Sequence, residues 1–169
     1  MDKAKLLVRE ITLFGILGAL TFGAKVVMSW MPNIEPVSLM VMLYAVTFGR
    51  KAVYPVYLYV MLEILVYGLG TWNVVYLYIW ALLALAAWLL RRMKEPLHWA
   101  LLSGVFGLAF GALCIPVDMA IGGFGYALAK WASGILFDIW HCAGNFVIAL
   151  LLFVPMRRLL GKLYQRLMA

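Results

Sequence analysis

WASGILFDIWHCAGNFVIALLLFVP, residues 131–155, is a run of 25 mostly apolar residues. At about 1.5 Å per residue, a helix of that length crosses the hydrocarbon of a bilayer. Three polar side chains interrupt it: Asp138, His141 and Asn145. At about 100° per residue they fall within about 60° of one another, on the face that also carries Trp131 and Gly134. An ionisable group facing lipid costs on the order of a few kcal/mol. This face is therefore expected to look into the protein or into a water-filled hollow. Asp138 and His141 then either pin two helices together or line a polar pocket, and the stretch by itself leaves both readings open.

The rest of the chain is of the same kind. Its 169 residues are 67% hydrophobic and 12% charged, with a mean hydropathy of +1.01, more apolar surface than a water-soluble fold of this size can bury. The expectation is an all-α integral membrane bundle forming a single transmembrane domain. Six apolar runs, about 6–30, 37–48, 52–67, 72–90, 97–115 and 131–155, are read as its spans. The second has 12 residues, about 18 Å as a helix and too short to cross unaided. Residues 116–130, with Gly122, Gly123 and Gly125, are expected to form an irregular connection. The first run passes signal-peptide length without a small-residue cleavage site and is expected to be retained. Cys114 and Cys142 fall in apolar segments without metal-like or redox-like spacing, as small buried residues do.

The net charge of +7 is distributed as topology signals are, in short clusters between apolar runs. Lys3, Lys5 and Arg9 precede the first run; Arg50 and Lys51 follow the second. Arg91, Arg92 and Lys94 follow the fourth, and Arg157, Arg158, Lys162 and Arg166 follow the sixth. With six crossings all of these share one side, and only Lys25 and Lys130 fall elsewhere. The positive-inside rule then places both termini in the cytoplasm of a multi-pass cell-membrane protein, the bacterial plasma membrane being the natural setting. Nucleic-acid binding has no support.

Depth follows from the same frame. Lys25 lies five residues before Trp30, Glu63 five before Gly68, and Asp138 seven after Trp131. Each is then about 7–10 Å inside the outer face, with His141 a turn deeper. Four ionisable residues from three spans share one layer. Asn145, about 21 Å down, is too deep to belong and is expected to make an interhelical hydrogen bond. Lys25 either snorkels outward or enters a pocket; Glu63 needs a partner or a ligand, and Lys25 would serve as a structural partner. Trp72, Tyr76, Trp131, Trp140 and Tyr67 are placed to sandwich a flat ring with polar edges. On the first span Gly15, Ala19 and Gly23 recur every four residues, a smooth seam for a partner helix of this or another chain.

Catalysis finds little footing. One histidine in the layer is too few for a metal site, and no serine sits in a nucleophile elbow. The chain carries no phosphate-binding Gly-x-x-x-x-Gly-Lys-Ser/Thr loop. It is read as no enzyme, with no cofactor and no metal.

The chain resembles the substrate-binding S component of energy-coupling factor (ECF) transporters over nearly its whole length. The resemblance rests on the six-span pattern, the first-span seam, PNIEPVSLMVML (residues 32–43), FGRKA (48–52) and DIWHCAGNFVIALLLFVPMRRLL (138–160). The family's usual seam is Ala-x-x-x-Ala, whereas here it reads Gly15-x-x-x-Ala19-x-x-x-Gly23. The resemblance implies capture of a vitamin or related small nitrogen heterocycle from outside. Delivery inward would need a transmembrane coupling subunit, docked on Gly15, Ala19 and Gly23, and two ATPase subunits. The pocket would be built from Lys25, Glu63, Trp72, Tyr76, Trp131, Asp138 and His141. It would be capped by outer connections, including the 31–36 turn with Asn33 and Glu35. The competing reading is an autonomous small proton-coupled carrier or channel that uses Asp138 and His141 as a relay.

Overall fold

The computed structural model describes residues 3–31 and 34–169, apart from the side chains of Lys3 and Lys5; Asn33 lies outside the described residues. Five helices follow one another: α1 (Lys3–Val27), α2 (Val37–Phe48), α3 (Val53–Tyr67), α4 (Thr71–Leu89) and α5 (Pro96–Met168). A 3₁₀ turn, Gly49–Ala52, joins α2 to α3. No strand occurs among the described residues. Among the described residues, four stretches are long and apolar enough to cross a membrane: Leu6–Val27, Val37–Tyr67, Thr71–Leu89 and Pro96–Met168.

Two of these four fold back on themselves. Gly49, with φ 58°, ends α2 and reverses the chain through the 3₁₀ turn. Gly123, with φ 81° and ψ 177°, is a non-helical residue inside α5. A positive φ is open to glycine at little cost, so one residue divides α5 into an arm of residues 96–122 and an arm of 124–168. Contacts between the arms are symmetric about that point: Gly104 meets Cys142 and Phe146, Gly107 meets His141, Gly111 meets Asp138, and Asp118 meets Lys130. The arms are antiparallel. The irregular connection expected over 116–130 is therefore helix on both sides of Gly123, with Pro116 inside the first arm. Where water is scarce an unpaired backbone group is costly, so the ladder is kept and broken as briefly as possible. Three residues before Pro116, the Leu113 carbonyl accepts from the Tyr78 hydroxyl.

The six helical segments alternate in direction. α2 runs against α1, with Thr21 2.8 Å from the Tyr44 hydroxyl and Phe14 against Phe48. α3 runs parallel to α1, as the pairs Glu10–Lys51, Phe14–Tyr54 and Lys25–Glu63 require. α4 and the first arm of α5 alternate again, through Tyr57–Leu77 and Trp80–Phe106. Both chain ends therefore lie at one end of the bundle, where Arg9 donates to the Leu167 carbonyl at 2.9 Å. The basic clusters at 50–51, 91–94 and 157–166 lie at that end too.

The short α2 is the centre of the molecule. Residues 37–45 are all buried, surrounded by α1, α4 and α5. A helix enclosed by other helices need not match a bilayer's thickness by itself, which accounts for its 12 residues. The flank of the bundle is apolar, with Leu7, Ile11, Leu65, Leu77, Val105 and Leu136 all exposed. Its interior is seasoned with buried polar groups, among them Ser38, Ser103 and Asn145. An apolar flank around a largely apolar core that holds a few buried polar groups is compatible with insertion into a membrane. The expected interhelical role of Asn145 is met: its amide donates to Ser38 Oγ at 3.0 Å and to the Ser103 carbonyl at 3.4 Å. Ser38→Ala is expected to cost about 1 kcal/mol, read as a lowered unfolding midpoint in detergent.

The arms of α5 meet along a glycine seam absent from the expectations above. A Cβ at Gly107 would lie 2.8 Å from the backbone carbonyl of His141, and one at Gly104 3.3 Å from Phe146. These glycines let the arms approach until side chains on the second arm reach across the bundle.

Candidate binding cavity between the helix ends

The parallel course of α1 and α3 brings Lys25, two residues before the end of α1, beside Glu63, four before the end of α3. Their Nζ–Oε2 distance is 2.6 Å. Glu63 is 1% exposed and Lys25 keeps 23% of its side chain accessible, so the carboxylate forms the floor and the ammonium the visible surface. Lys25 also donates to the Tyr76 hydroxyl at 3.4 Å. Its ammonium stands 5.2 Å from the Tyr76 ring centre and 5.9 Å from that of Tyr59. Lys25 thus turns inward rather than snorkelling.

A cavity of about 270 Å³ opens beside this pair, at the end of the bundle opposite the basic clusters. Lys25, Glu35, Tyr76, Phe110 and His141 line it, with Met28, Ser29, Met31 and Ile34 from the end of α1 and the following turn. That turn is seated on the second arm of α5, where Ile34 covers Gly144. An aromatic wall runs behind the cavity. Tyr76 lies 6.3 Å from Tyr59 and 5.3 Å from Trp80, Trp80 6.0 Å from Phe110, and Phe110 4.9 Å from His141.

Several polar atoms here are buried without a hydrogen-bond partner: Glu63 Oε1, the Tyr59 hydroxyl, Trp80 Nε1 and His141 Nε2. Such atoms are rare in a settled interior and each costs about 1–3 kcal/mol. Grouped around one aromatic cluster, they leave hydrogen-bonding capacity beside the cavity that a polar ligand could take up. Glu35, on the turn, is pushed up to about 7 by burial, with Glu63 acting in the same sense and Lys25 opposing. Near neutral pH it is therefore divided between its neutral and charged forms.

Of the residues expected at the site, Lys25, Glu35, Tyr76 and His141 line the cavity and Glu63 lies beneath it. Asp138 turns away: its Oδ1 accepts from the Gly111 amide at 3.1 Å, and its Oδ2 is buried without a partner. Trp72, Trp131, Trp140 and Tyr67 are exposed on the flank, outside this cavity. Tyr59, Trp80 and Phe110 were not foreseen. Their signal was helical spacing, since Tyr59 precedes Glu63 by four residues and Trp80 follows Tyr76 by four. Larger hollows exist at the basic end, one of about 580 Å³ between α1 and α3. The smaller cavity is the better candidate because charged and polar groups from several helices converge on an aromatic wall. No three metal-ligating side chains gather among the described residues.

The seam on α1 is not packed closely by the described chain: a Cβ at Gly15 or Gly23 would meet nothing within 4 Å, Ala19 is exposed, and Gly15 borders the hollow between α1 and α3. The adjacent Gly18 packs on Leu58 of α3 instead.

Fold and cavity together define a helical protein with an apolar flank and a polar, aromatic-walled hollow near one end. In comparisons with known proteins the chain matches no family model, no curated protein and no solved structure.

Proposed function

We propose that this chain is the substrate-binding S component of an ECF-type importer. It lies in the plasma membrane with the basic end in the cytoplasm and its six helical segments spanning the bilayer. The cavity at the opposite end then faces outside and takes up a vitamin-like nitrogen heterocycle. The observation that carries the reading is the 270 Å³ cavity with its ion pair, aromatic wall and unpartnered polar atoms. A flat ring fits against Tyr76 and Phe110, and ring nitrogens fit the carboxylates and His141. The seam at Gly15, Ala19 and Gly23 supports docking of a coupling subunit, because the described chain leaves it open. The lack of a phosphate-binding loop fits a chain that relies on partner ATPases for energy.

Two carboxylates face one ammonium, so the hollow is net negative once Glu35 ionises, and a cationic or proton-donating heterocycle suits it. Glu35 ionises as pH rises through about 7. Affinity for a cationic ligand is expected to rise between pH 5 and 8, with a midpoint about 7, and Glu35→Gln should flatten the profile. The sign reverses for the empty protein. A carboxyl raised from 4.5 to about 7 contributes stability below 4.5, and that stability is lost as pH climbs to about 7. Calorimetric titration and melting curves across that range check both.

Mass spectrometry of the small molecule retained through purification in detergent tests the reading, together with copurification of a coupling subunit and an ATPase pair. Uptake by the lone chain in liposomes, driven by a proton gradient and lost in Asp138→Asn, would favour the proton-coupled carrier instead.

A further inference from the structure

The basic end of the bundle holds a second hollow, unrelated to the first. It has a volume of about 460 Å³ and is lined by Lys94, Val154, Arg157, Arg158, Gly161, Lys162 and Gln165. Four of those seven residues are cationic, and no carboxylate lines it. Lys94, Arg158 and Lys162 form no salt bridge with a carboxylate among the described residues. Arg157 is fixed in place: it donates to the Met93 carbonyl at 3.1 Å and the Arg91 carbonyl at 3.0 Å, and it lies 5.7 Å from the Trp99 ring. Those bonds tie the loop before α5 to the second arm and set the distance between Lys94 and the other cations. A Cβ at Gly161 would meet nothing within 4 Å, so the floor between the cations is open.

The setting says what fills it. Val154, Arg157, Arg158, Gly161, Lys162 and Gln165 recur at helical spacing and occupy one face of the second arm. Stepping back along that face by turns leads to Leu151 and Val147, 64% and 51% exposed. A cationic notch thus passes directly into an exposed apolar stripe running toward the middle of the bundle. We infer that this notch binds the phosphodiester headgroup of an anionic phospholipid, its acyl chain lying along Leu151 and Val147. Clusters of lysine and arginine at the cytoplasmic ends of helices bind anionic headgroups in this manner. The continuity of charge with apolar stripe selects a lipid over free phosphate, which would use the cations alone. The inference needs only that the bundle lies in a bilayer and does not depend on the transporter reading.

The test is native mass spectrometry of the full chain in detergent, titrated separately with phosphatidylglycerol, phosphatidylcholine and inorganic phosphate. Retention of one phosphatidylglycerol per chain is expected, with little phosphatidylcholine. Arg158→Gln with Lys162→Gln removes two exposed charges and should weaken phosphatidylglycerol binding roughly thirtyfold. Arg50→Gln with Arg92→Gln removes the same charge from the same end but outside the notch, and should leave binding unchanged. Equal retention of both lipids would overturn the inference. So would equal loss in the two double variants, or a rise in melting temperature with inorganic phosphate matching that with phosphatidylglycerol.

Discussion

Gly107→Leu is expected to yield no folded bundle, and Gly107→Ala to lower stability by about 3 kcal/mol. The first added carbon would lie 2.8 Å from the backbone carbon and oxygen of His141 and 2.9 Å from the Cys142 nitrogen. Backbone in the middle of a helix cannot swing aside, so the two arms of α5 must part along their length. Gly111→Ala is a gentler case, because the atom met at 2.4 Å is Oδ2 of Asp138, the end of a side chain that can turn. Gly134→Ala and Gly161→Ala, with nothing within 4 Å, should instead stabilise by roughly 0.5–1 kcal/mol through helix propensity. Unfolding midpoints of the four alanine variants in one detergent check the ranking. Equal midpoints for Gly107→Ala and Gly134→Ala would mean that the arms do not pack as described.

Lys25→Met carries the second large effect. It removes the partner 2.6 Å from a carboxylate that is 1% exposed. Breaking a buried pair from one side typically costs about 3–5 kcal/mol, because the remaining charge is left uncompensated. Adding Glu63→Gln removes that charge and should restore most of the loss, since replacing both members of a buried pair is often near neutral. Ligand binding should follow a different course: Lys25→Met leaves both carboxylates and should keep or strengthen binding of a cationic heterocycle, whereas the double variant, which has lost the Glu63 carboxylate as well, should bind more weakly than the single. A double variant that is stable and binds as tightly as the single would leave the pair with a structural role only. Thermal unfolding separates the first pair of outcomes, and calorimetry with the retained ligand the second.

Much of this architecture is legible in the sequence. Charge clusters that alternate with apolar runs place both chain ends on one side of the bundle, and there Arg9 meets Leu167. The cost of charge in lipid leaves Glu63 in need of a partner or a ligand and offers Lys25 as the partner, and the two meet at 2.6 Å. Asp138 escaped that logic, because which of two helix faces packs against a glycine seam depends on Gly111 across the bundle, not on the sequence around Asp138. The aromatic wall was misjudged for a related reason. Tryptophans at span ends were favoured over Tyr59 and Trp80 in span middles, although the middle residues are the buried ones. The long helical reach of α5 was hidden by its glycines and prolines, which punctuate helices in water far more firmly than helices packed among their neighbours.

The break at Gly123 also sets a phase. With one residue between two long helices, there is no slack to absorb a change in length. Adding a single amino acid there would turn everything downstream by about 100° and advance it by about 1.5 Å. His141 would leave Phe110, Asp138 would leave Gly111, and the cationic notch would face another quarter of the bundle's surroundings. The hollow at one end and the notch at the other are thus held in rotational step by a single glycine. Insertions and deletions at this hinge are therefore far more consequential than substitutions in the exposed turns around it.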